Sequence, residues 1–197
     1  MSKKQIEKRN LEMRGVKTNA DNSNEMVLEG IATVFDTPTV LYEIDGIEYK
    51  EIIDRHALDN ADFSNCCLKY NHSDNVPIMA RTRKGSLKTT IEDEGLHYRA
   101  NLFNTSTSRD VYELVKSGGL DKCSFAFTIE EAEYDKTTHT RRILKIDKVF
   151  DISIVDVPAY EDTDVSARSL FKLENEKEKE LENSLERKRL LIKLLSY

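Results

Sequence analysis

The chain has 197 residues, which is enough for one domain with a sizeable core and an appendage. Charged residues make up 34% of it, more than in a typical soluble domain, and the excess lies mainly at the two ends. The net charge of −6 and the lack of a basic patch with interleaved aromatic residues argue against nucleic-acid binding.

Targeting and redox signals are equally sparse. The N-terminal sequence MSKKQIEKRN is charged and no apolar run follows it, so we predict no signal peptide. No stretch approaches the ~18 apolar residues of a membrane span. Cys66, Cys67 and Cys123 are odd in number and form no CxxC pair, so we predict no disulfide framework, no structural zinc and a reducing cytoplasm.

The middle of the chain has the pattern of a mainly β domain. Residues 1–10 are polar and predicted to be flexible, and a short strand is predicted at 11–16. Further segments rich in β-branched and aromatic residues predict strands or hairpins at 26–35, 41–49, 66–70, 87–91, 96–102, 123–134 and 143–157. Asp45-Gly46 and Gly95 supply the turn signals of two hairpins.

Two short helices are predicted between these strands. Asp54 is a suitable N-cap for a helix that runs through about Asn60. A capping-box-like start at Thr107 and apolar residues at helical spacing predict a second helix, which Gly118-Gly119 ends. Because hairpins join most strands, we expect an α+β fold that is mainly β, with a largely antiparallel sheet closed into a small barrel.

The end of the chain has a different composition. We expect a globular domain at 11–160, a polar linker at 161–173 and a charged helical tail at 174–197, which has no glycine or proline. Apolar residues recur in the tail at spacings of three and four, with one lysine interrupting the stripe. The tail is either a solvated helix resting on its own domain or a docking helix for a partner or a second copy.

One serine stands out as a potential nucleophile. Ser124 lies within a short predicted strand in which small residues adjoin bulky aromatic ones. A serine hydroxyl needs a base, usually a neutral imidazole, and a carboxylate behind the imidazole fixes its tautomer. His72 stands where a buried strand gives way to a polar loop, a position typical of site residues. The other three histidines, His56, His97 and His139, are predicted to be surface residues.

Asp151 is the candidate for the carboxylate. It interrupts an apolar strand, and a buried carboxylate needs hydrogen-bond donors. His72 could be such a donor, and so could the backbone or Ser153. Cys123 is a rival nucleophile, but strand alternation sends it to the face opposite Ser124, and a lone strand cysteine is usually part of a core.

Three blocks of the sequence resemble the prohead (capsid maturation) proteases of tailed bacteriophages of the HK97 type, which are related in fold to the herpesvirus assembly proteases. The resemblance covers about Leu11 to Arg168. The blocks are Gly30-Ile31-Ala32-Thr33-Val34-Phe35-Asp36; Asn71-His72 with Pro77-Ile78-Met79-Ala80-Arg81; and Gly119-Leu120, Ser124-Phe125-Ala126-Phe127 and Asp151-Ile152-Ser153-Ile154-Val155-Asp156-Val157-Pro158-Ala159.

The resemblance implies roles for individual residues. The family's catalytic serine falls on Ser124, its histidine on His72 and its acidic third member on Asp151. The family often has glutamate at the position of Asp151 and glycine at the position of Ala126, so this sequence departs from the family pattern twice.

The resemblance also implies a function. It predicts a serine endopeptidase that needs no metal or cofactor and acts in the host bacterial cytoplasm, inside an assembling procapsid. Its substrates would be the scaffold protein or the scaffolding segment of the major capsid protein, and the protease itself. Homo-oligomerisation stays open. The alternatives are a non-enzymatic capsid assembly factor on the same fold and a cysteine peptidase that uses Cys123.

Overall fold

The computed structural model describes residues 6–11, 17–18 and 25–156, together with Ser184, Arg187 and Lys188. The chain divides into two units, Met1–Tyr160 and Glu161–Tyr197, and the fold described here belongs to the first. The predicted linker at 161–173 lies outside the described residues, as does the predicted tail apart from the three residues just named, whose backbone is helical. Within the described part, no helix is long and apolar enough to cross a membrane.

The described residues form a mainly β structure, which confirms the predicted class. In the described part of the first unit, one α-helix, α1, spans Ser106–Lys116, and one 3-10 turn spans Thr82–Lys84. The strands are β1 (Ile6–Leu11), β2 (Lys17–Thr18), β3 (Val27–Val34), β4 (Thr39–Ile44), β5 (Ile47–Ile53), β6 (Cys67–Tyr70), β7 (Ala80–Arg81), β8 (Leu87–Glu92), β9 (Gly95–Asn101), β10 (Lys122–Asp135) and β11 (Thr140–Val155).

These strands belong to two sheets. The larger sheet has the order β1-β10-β11-β5-β4, with β6 also paired to β11 and β7 paired to β6. The smaller sheet has the order β2-β3-β9-β8. Most pairs are antiparallel, as predicted, but β11 runs parallel to both β5 and β6. The long β10–β11 hairpin therefore lies at the centre of the larger sheet.

The predicted closed barrel is not seen in the described residues, where both sheets stay open. Single backbone hydrogen bonds join them instead: the Asp36 N–H donates to Ile53 O at 2.9 Å, and the Phe103 N–H donates to Met79 O at 2.8 Å. Asp36 has a φ of 50°, in the left-handed region, which turns the chain out of β3. A regular ladder cannot continue through such a turn, so pairing stops at that corner.

The apolar core lies on one face of β10. Phe125 and Phe127 are fully buried and stack with ring centroids 4.5 Å apart. Burying a side chain of this size contributes about 1.5–3 kcal/mol, so this pair is a main source of stability for the larger sheet. Because side chains alternate along a strand, Ser124 and Ala126 lie on the opposite face of β10.

Local predictions had mixed outcomes. The Asp45-Gly46 hairpin is confirmed: both residues have positive φ, 52° and 79°, as a type I′ turn requires. The second helix is confirmed as α1, with Thr105 as N-cap accepting a hydrogen bond from the Ser108 N–H. The helix predicted from Asp54 is wrong, because residues 55–60 form separate turns.

The N-terminal prediction also needs correction. The segment 1–10 was expected to be flexible because it is charged, but Ile6–Leu11 forms β1 and pairs antiparallel with β10. Two of its charged side chains, Glu7 and Arg9, are only 5% and 3% exposed. Burial is tolerated because each charge meets an opposite one: Arg9 contacts both Glu7 and Glu51. The strand predicted at 11–16 lies mostly outside the described residues.

Candidate active site

The predicted site residues come from three segments that meet at β11. Ser153 of β11 lies opposite Ser124 of β10, and Asp151 lies opposite Ala126. Residues directly opposite in an antiparallel pair, and residues two apart in one strand, share a face of the sheet. Ser124, Ser153 and Asp151 therefore lie together on the face that does not hold the phenylalanine core.

The loop after β6 brings His72 over this face. On the other side of β11, β6 runs parallel to it, with Lys69 opposite Ser153 and Tyr70 opposite Ile154. The chain then reverses through two consecutive left-handed residues, Asn71 and His72, each with a φ of 51°. Asparagine and histidine are among the residues that tolerate this conformation best. The turn folds the imidazole back across β11 toward β10.

Backbone hydrogen bonds hold this loop against β11. The Asn71 N–H donates to Ile154 O at 2.9 Å, and the Asn71 side-chain oxygen accepts from the Asp156 N–H at 3.1 Å. The His72 N–H donates to the Ser153 hydroxyl at 3.2 Å. The loop position is therefore determined by main-chain contacts as well as by the imidazole itself.

The imidazole of His72 lies between the hydroxyl and the carboxylate. Its Nε2 is 2.6 Å from the Ser124 Oγ, and its Nδ1 is 2.6 Å from the Asp151 Oδ1. The side chain of His72 is 6% exposed and that of Asp151 is 8% exposed. Both distances are within hydrogen-bonding reach, and the two contacts use the two different ring nitrogens. Aspartate reaches His72 here although it is one methylene shorter than glutamate.

Two further residues contact the site, and the sequence predicts a catalytic role for neither. The Ser153 hydroxyl donates to Asp151 Oδ1 at 2.8 Å while it accepts from the His72 backbone. The Lys69 ammonium lies 4.0 Å from Asp151 Oδ2 and 2.5 Å from Asp74. Burial disfavours the charged form of Lys69, but Asp74 and Asp151 outweigh it and raise the pKa of Lys69. A sequence signal existed only for Ser153, as one of the open partners of Asp151.

Cys123 is placed where the strand alternation predicted it. It is fully buried on the core face, and its Sγ lies 3.0 Å from the Tyr98 hydroxyl. Burial raises the pKa of the Cys123 thiol to about 12. A thiol in this state is a weak nucleophile at neutral pH, because the thiolate is the reactive form.

The remaining histidines contact groups in their own turns and hairpins. His56 is exposed and lies 3.0 Å from Asp59, and His139 Nδ1 lies 3.1 Å from the Tyr134 hydroxyl. His97 Nε2 lies 3.1 Å from Glu94. Among the described residues, one group of acidic and histidine side chains has its possible metal-ligand atoms within 4.8 Å of one another, namely Glu92, Glu94 and His97. Both carboxylates of this group are exposed.

Comparisons with known proteins identify the family to which the chain belongs. A family model described as the caudovirus prohead serine protease matches residues 11–179. The chain belongs to this family. Membership implies serine protease activity and a role in capsid maturation of tailed phages, and it confirms the resemblance found in the sequence.

Among solved structures, the capsid assembly protease of bacteriophage T4 has a similar fold. The TM-score is 0.55 at 11% identity, and the match covers 80% of this chain and 100% of that chain. At this low identity, the similarity shows only that the two proteins share a fold. Among curated proteins, none matches the chain.

Proposed function

We propose that this prohead serine protease is an endopeptidase in which Ser124 is the nucleophile, His72 the general base and Asp151 the group that orients His72. The observation that carries the proposal is the imidazole of His72, 2.6 Å from the Ser124 Oγ on one side and 2.6 Å from the Asp151 carboxylate on the other. This is the arrangement by which an imidazole activates a hydroxyl.

The reaction would be acyl transfer in two halves. The Ser124 Oγ bonds to the carbonyl carbon of the scissile peptide as His72 Nε2 takes the hydroxyl proton. The C–N bond then breaks, and the same proton passes from His72 to the leaving amine. Water, deprotonated by His72, hydrolyses the acyl ester and restores Ser124. Asp151 stabilises the imidazolium in each half and holds Nδ1 as the donor.

The substrate class follows from the family and not from the site. We propose that the enzyme cleaves the scaffold protein, or the scaffolding segment of the major capsid protein, inside the assembling procapsid in the host cytoplasm. The T4 neighbour, a capsid assembly protease, supports this assignment. The proposal requires no cofactor.

The decisive experiment is cleavage of the phage's major capsid protein by purified variants. Ser124→Ala and His72→Ala should each lower the cleavage rate by at least about a thousandfold. The three side chains act as one unit, so removing one of them abolishes most of the catalysis that all three provide. His56→Ala is the matched histidine control and Cys123→Ser tests the rival nucleophile, while leaving Tyr98 a hydrogen-bond partner. Both of these variants should cleave at the wild-type rate.

The same experiment separates the alternatives. If Cys123→Ser loses activity and Ser124→Ala retains it, the protein is a cysteine peptidase and not a serine peptidase. The full burial of Ser124 favours the other alternative, a non-catalytic assembly factor. That alternative predicts that no variant or wild-type protein cleaves the capsid protein, while procapsid assembly still requires the chain.

We also propose a self-cleavage region between Glu161 and Glu174, motivated by its polarity and its place between the domain and the tail. Intact mass spectrometry of the active protein beside Ser124→Ala tests it. A shortened wild-type chain is expected, and identical masses would remove the idea.

The charged tail at 174–197 is proposed to package the protease with scaffold. Deleting the tail should reduce incorporation of the protein into procapsids, measured by quantitative immunoblotting of purified particles. Normal incorporation of the deleted protein would refute this role.

A further inference from the structure

The proposed nucleophile is closed off in this structure. Ser124 has no solvent-exposed surface, and its Oγ lies 2.8 Å from the backbone carbonyl oxygen of Arg9 in β1. A serine hydroxyl has one proton, and here two acceptors compete for it, the Arg9 carbonyl and His72 Nε2. A polypeptide carbonyl cannot approach Ser124 while β1 occupies this position, so a segment must move before the proposed reaction.

The topology identifies which neighbour of Ser124 can leave. On one side β10 pairs with β11, which carries Asp151 and holds the His72 loop, so its departure would dismantle the site. On the other side β10 pairs with β1, and His72, Ser124 and Asp151 make their mutual contacts without any of the described β1 side chains, Ile6 to Arg9. Among the described strands, β1 is the terminal strand of its sheet. Its removal would expose Ser124 and leave the three side chains in place.

We propose that the edge of β10 from Cys123 to Thr128 is the binding site for an extended substrate segment, and that β1 occupies it in a latent state. The ligand class is a polypeptide that adds to the sheet as an antiparallel strand. β1 already does this, with Ile6 opposite Thr128 and Leu11 opposite Cys123, and it presents a backbone carbonyl to the nucleophile. This inference rests on the proposed serine peptidase function.

Backbone pairing makes such an exchange nearly balanced. A substrate strand offers β10 the same N–H and C=O groups as β1, so hydrogen bonds lost with one strand are recovered with the other. The cleavage rate is then proportional to the fraction of molecules in which β1 has been displaced.

A buried ion cluster on the core side accommodates the departure. Arg9 and Glu7 of β1 contact Glu51 of β5 and Arg141 of β11, so the four charges sum to zero. If β1 leaves, it withdraws one cation and one anion together. Glu51 and Arg141, whose charged groups are already 3.9 Å apart, then remain as a pair. No single charge is stranded in the core, which would be costly.

A reversible lock tests this proposal. Ile6 and Thr128 are directly opposite in the β1–β10 pair, within the span that a disulfide needs. The double variant Ile6→Cys, Thr128→Cys should lose cleavage of the major capsid protein when oxidised and regain it when reduced. A matched disulfide in the smaller sheet, Lys88→Cys with Arg99→Cys, should leave the rate unchanged in both states. Ile6→Cys alone controls for the oxidant.

A second measurement does not depend on catalysis. In Ser124→Ala protein, addition of the capsid protein should speed amide hydrogen exchange in β1 and leave that of β11 slow. The proposal is overturned if the amides of β1 stay protected from exchange in the complex. It is also overturned if the oxidised double variant cleaves as fast as the same variant after reduction of the disulfide. Failure of the serine peptidase function would look different: wild-type and Ser124→Ala proteins would then cleave equally, whatever the state of the lock.

Discussion

Single residues around the imidazole decide how well the proposed site is organised. The histidine, serine and aspartate are predicted from the sequence because their chemistry and the family blocks single them out, and the structure brings their side chains into contact. Ser153, two residues from Asp151 in β11, was named only as one possible partner of that carboxylate. Lys69 was assigned no role, since it reaches Asp151 through the pairing of β6 with β11. That pairing leaves no local trace in the sequence, so residues that support the site were harder to predict than residues that form it.

Ser153 is expected to be a positioning residue. Its hydroxyl bonds both the Asp151 carboxylate and the His72 backbone. A hydrogen bond to a charged group contributes about 1.5–3 kcal/mol, so Ser153→Ala should lower kcat about tenfold or more. KM should be unchanged, because Ser153 does not contact substrate in the proposed reaction.

The conservative variant and a distant serine provide the controls for this prediction. Ser153→Thr keeps the hydroxyl and should recover most of kcat, while Ser117→Ala removes an exposed hydroxyl at the end of α1 and should have no effect. Equal losses in Ser153→Ala and Ser153→Thr would indicate a packing defect instead.

Cys123 should be chemically silent in the folded protein. Its full burial and raised pKa both oppose attack on an alkylating agent. Iodoacetamide at neutral pH should leave Cys123 unmodified and the protease active, as measured by peptide mapping and capsid-protein cleavage. Alkylation of all three cysteines in urea is the control that the reagent works. Rapid labelling of Cys123 in the native state would contradict the structure.

Among the elements, hairpins were predicted best, because a positive φ demands particular residues. The Asp45-Gly46 turn is such a case. Gly95 shows the limit of this reasoning: the sequence predicts a glycine with the permissive turn conformation, yet its φ is not positive. It is needed because an added Cβ would lie 2.0 Å from Thr33 O of the neighbouring strand. This requirement arises from the β3–β9 pairing and cannot be found in the local sequence.

Gly95→Ala should therefore destabilise the smaller sheet. The obstructing atoms belong to the backbone of Thr33 and Val34, which cannot rotate away as a side chain can. We expect the free energy of unfolding to fall by about 2–3 kcal/mol, measured by urea denaturation. Gly119→Ala is the matched control, since its Cβ would meet nothing nearer than 3.4 Å, and it should change stability by less than about 1 kcal/mol. Similar losses in both variants would exclude the close approach as the cause.

In the molecule as a whole, the charged N-terminal segment shows why composition alone misassigned a strand. A charged segment is usually exposed to solvent. The sequence around Glu7 and Arg9 does not indicate that their ion-pair partners are Glu51 and Arg141. The four meet only when β1, β5 and β11 come together in the larger sheet. Long-range charge pairing thus turned a segment predicted to be flexible into an edge strand. The open form of the two sheets was missed for a similar reason, since it depends on the turn at Asp36.

Glu51 should contribute strongly to global stability. Glu51→Ala would leave Arg9 and Arg141 to share Glu7 in a buried setting, which leaves one positive charge without compensation. Breaking a buried pair in this way costs about 3–5 kcal/mol, so the variant should unfold at much lower urea concentration. Glu48→Ala removes an exposed carboxylate on the same strand that pairs with Lys50, and it should cost less than about 1 kcal/mol. Equal midpoints for the two variants would show that the cluster is not stabilising.

The parallel pairing of β6 with β11 also determines when during synthesis the proposed site can assemble. His72 precedes Ser124 by 52 positions and Asp151 by 79. At about 5–20 residues per second, the imidazole leaves the ribosome roughly 4–16 seconds ahead of its carboxylate. The loop that carries it has no strand to rest on until Asp151–Ile154 emerges. A nascent chain would therefore lack hydrolytic competence until nearly the whole domain has been translated.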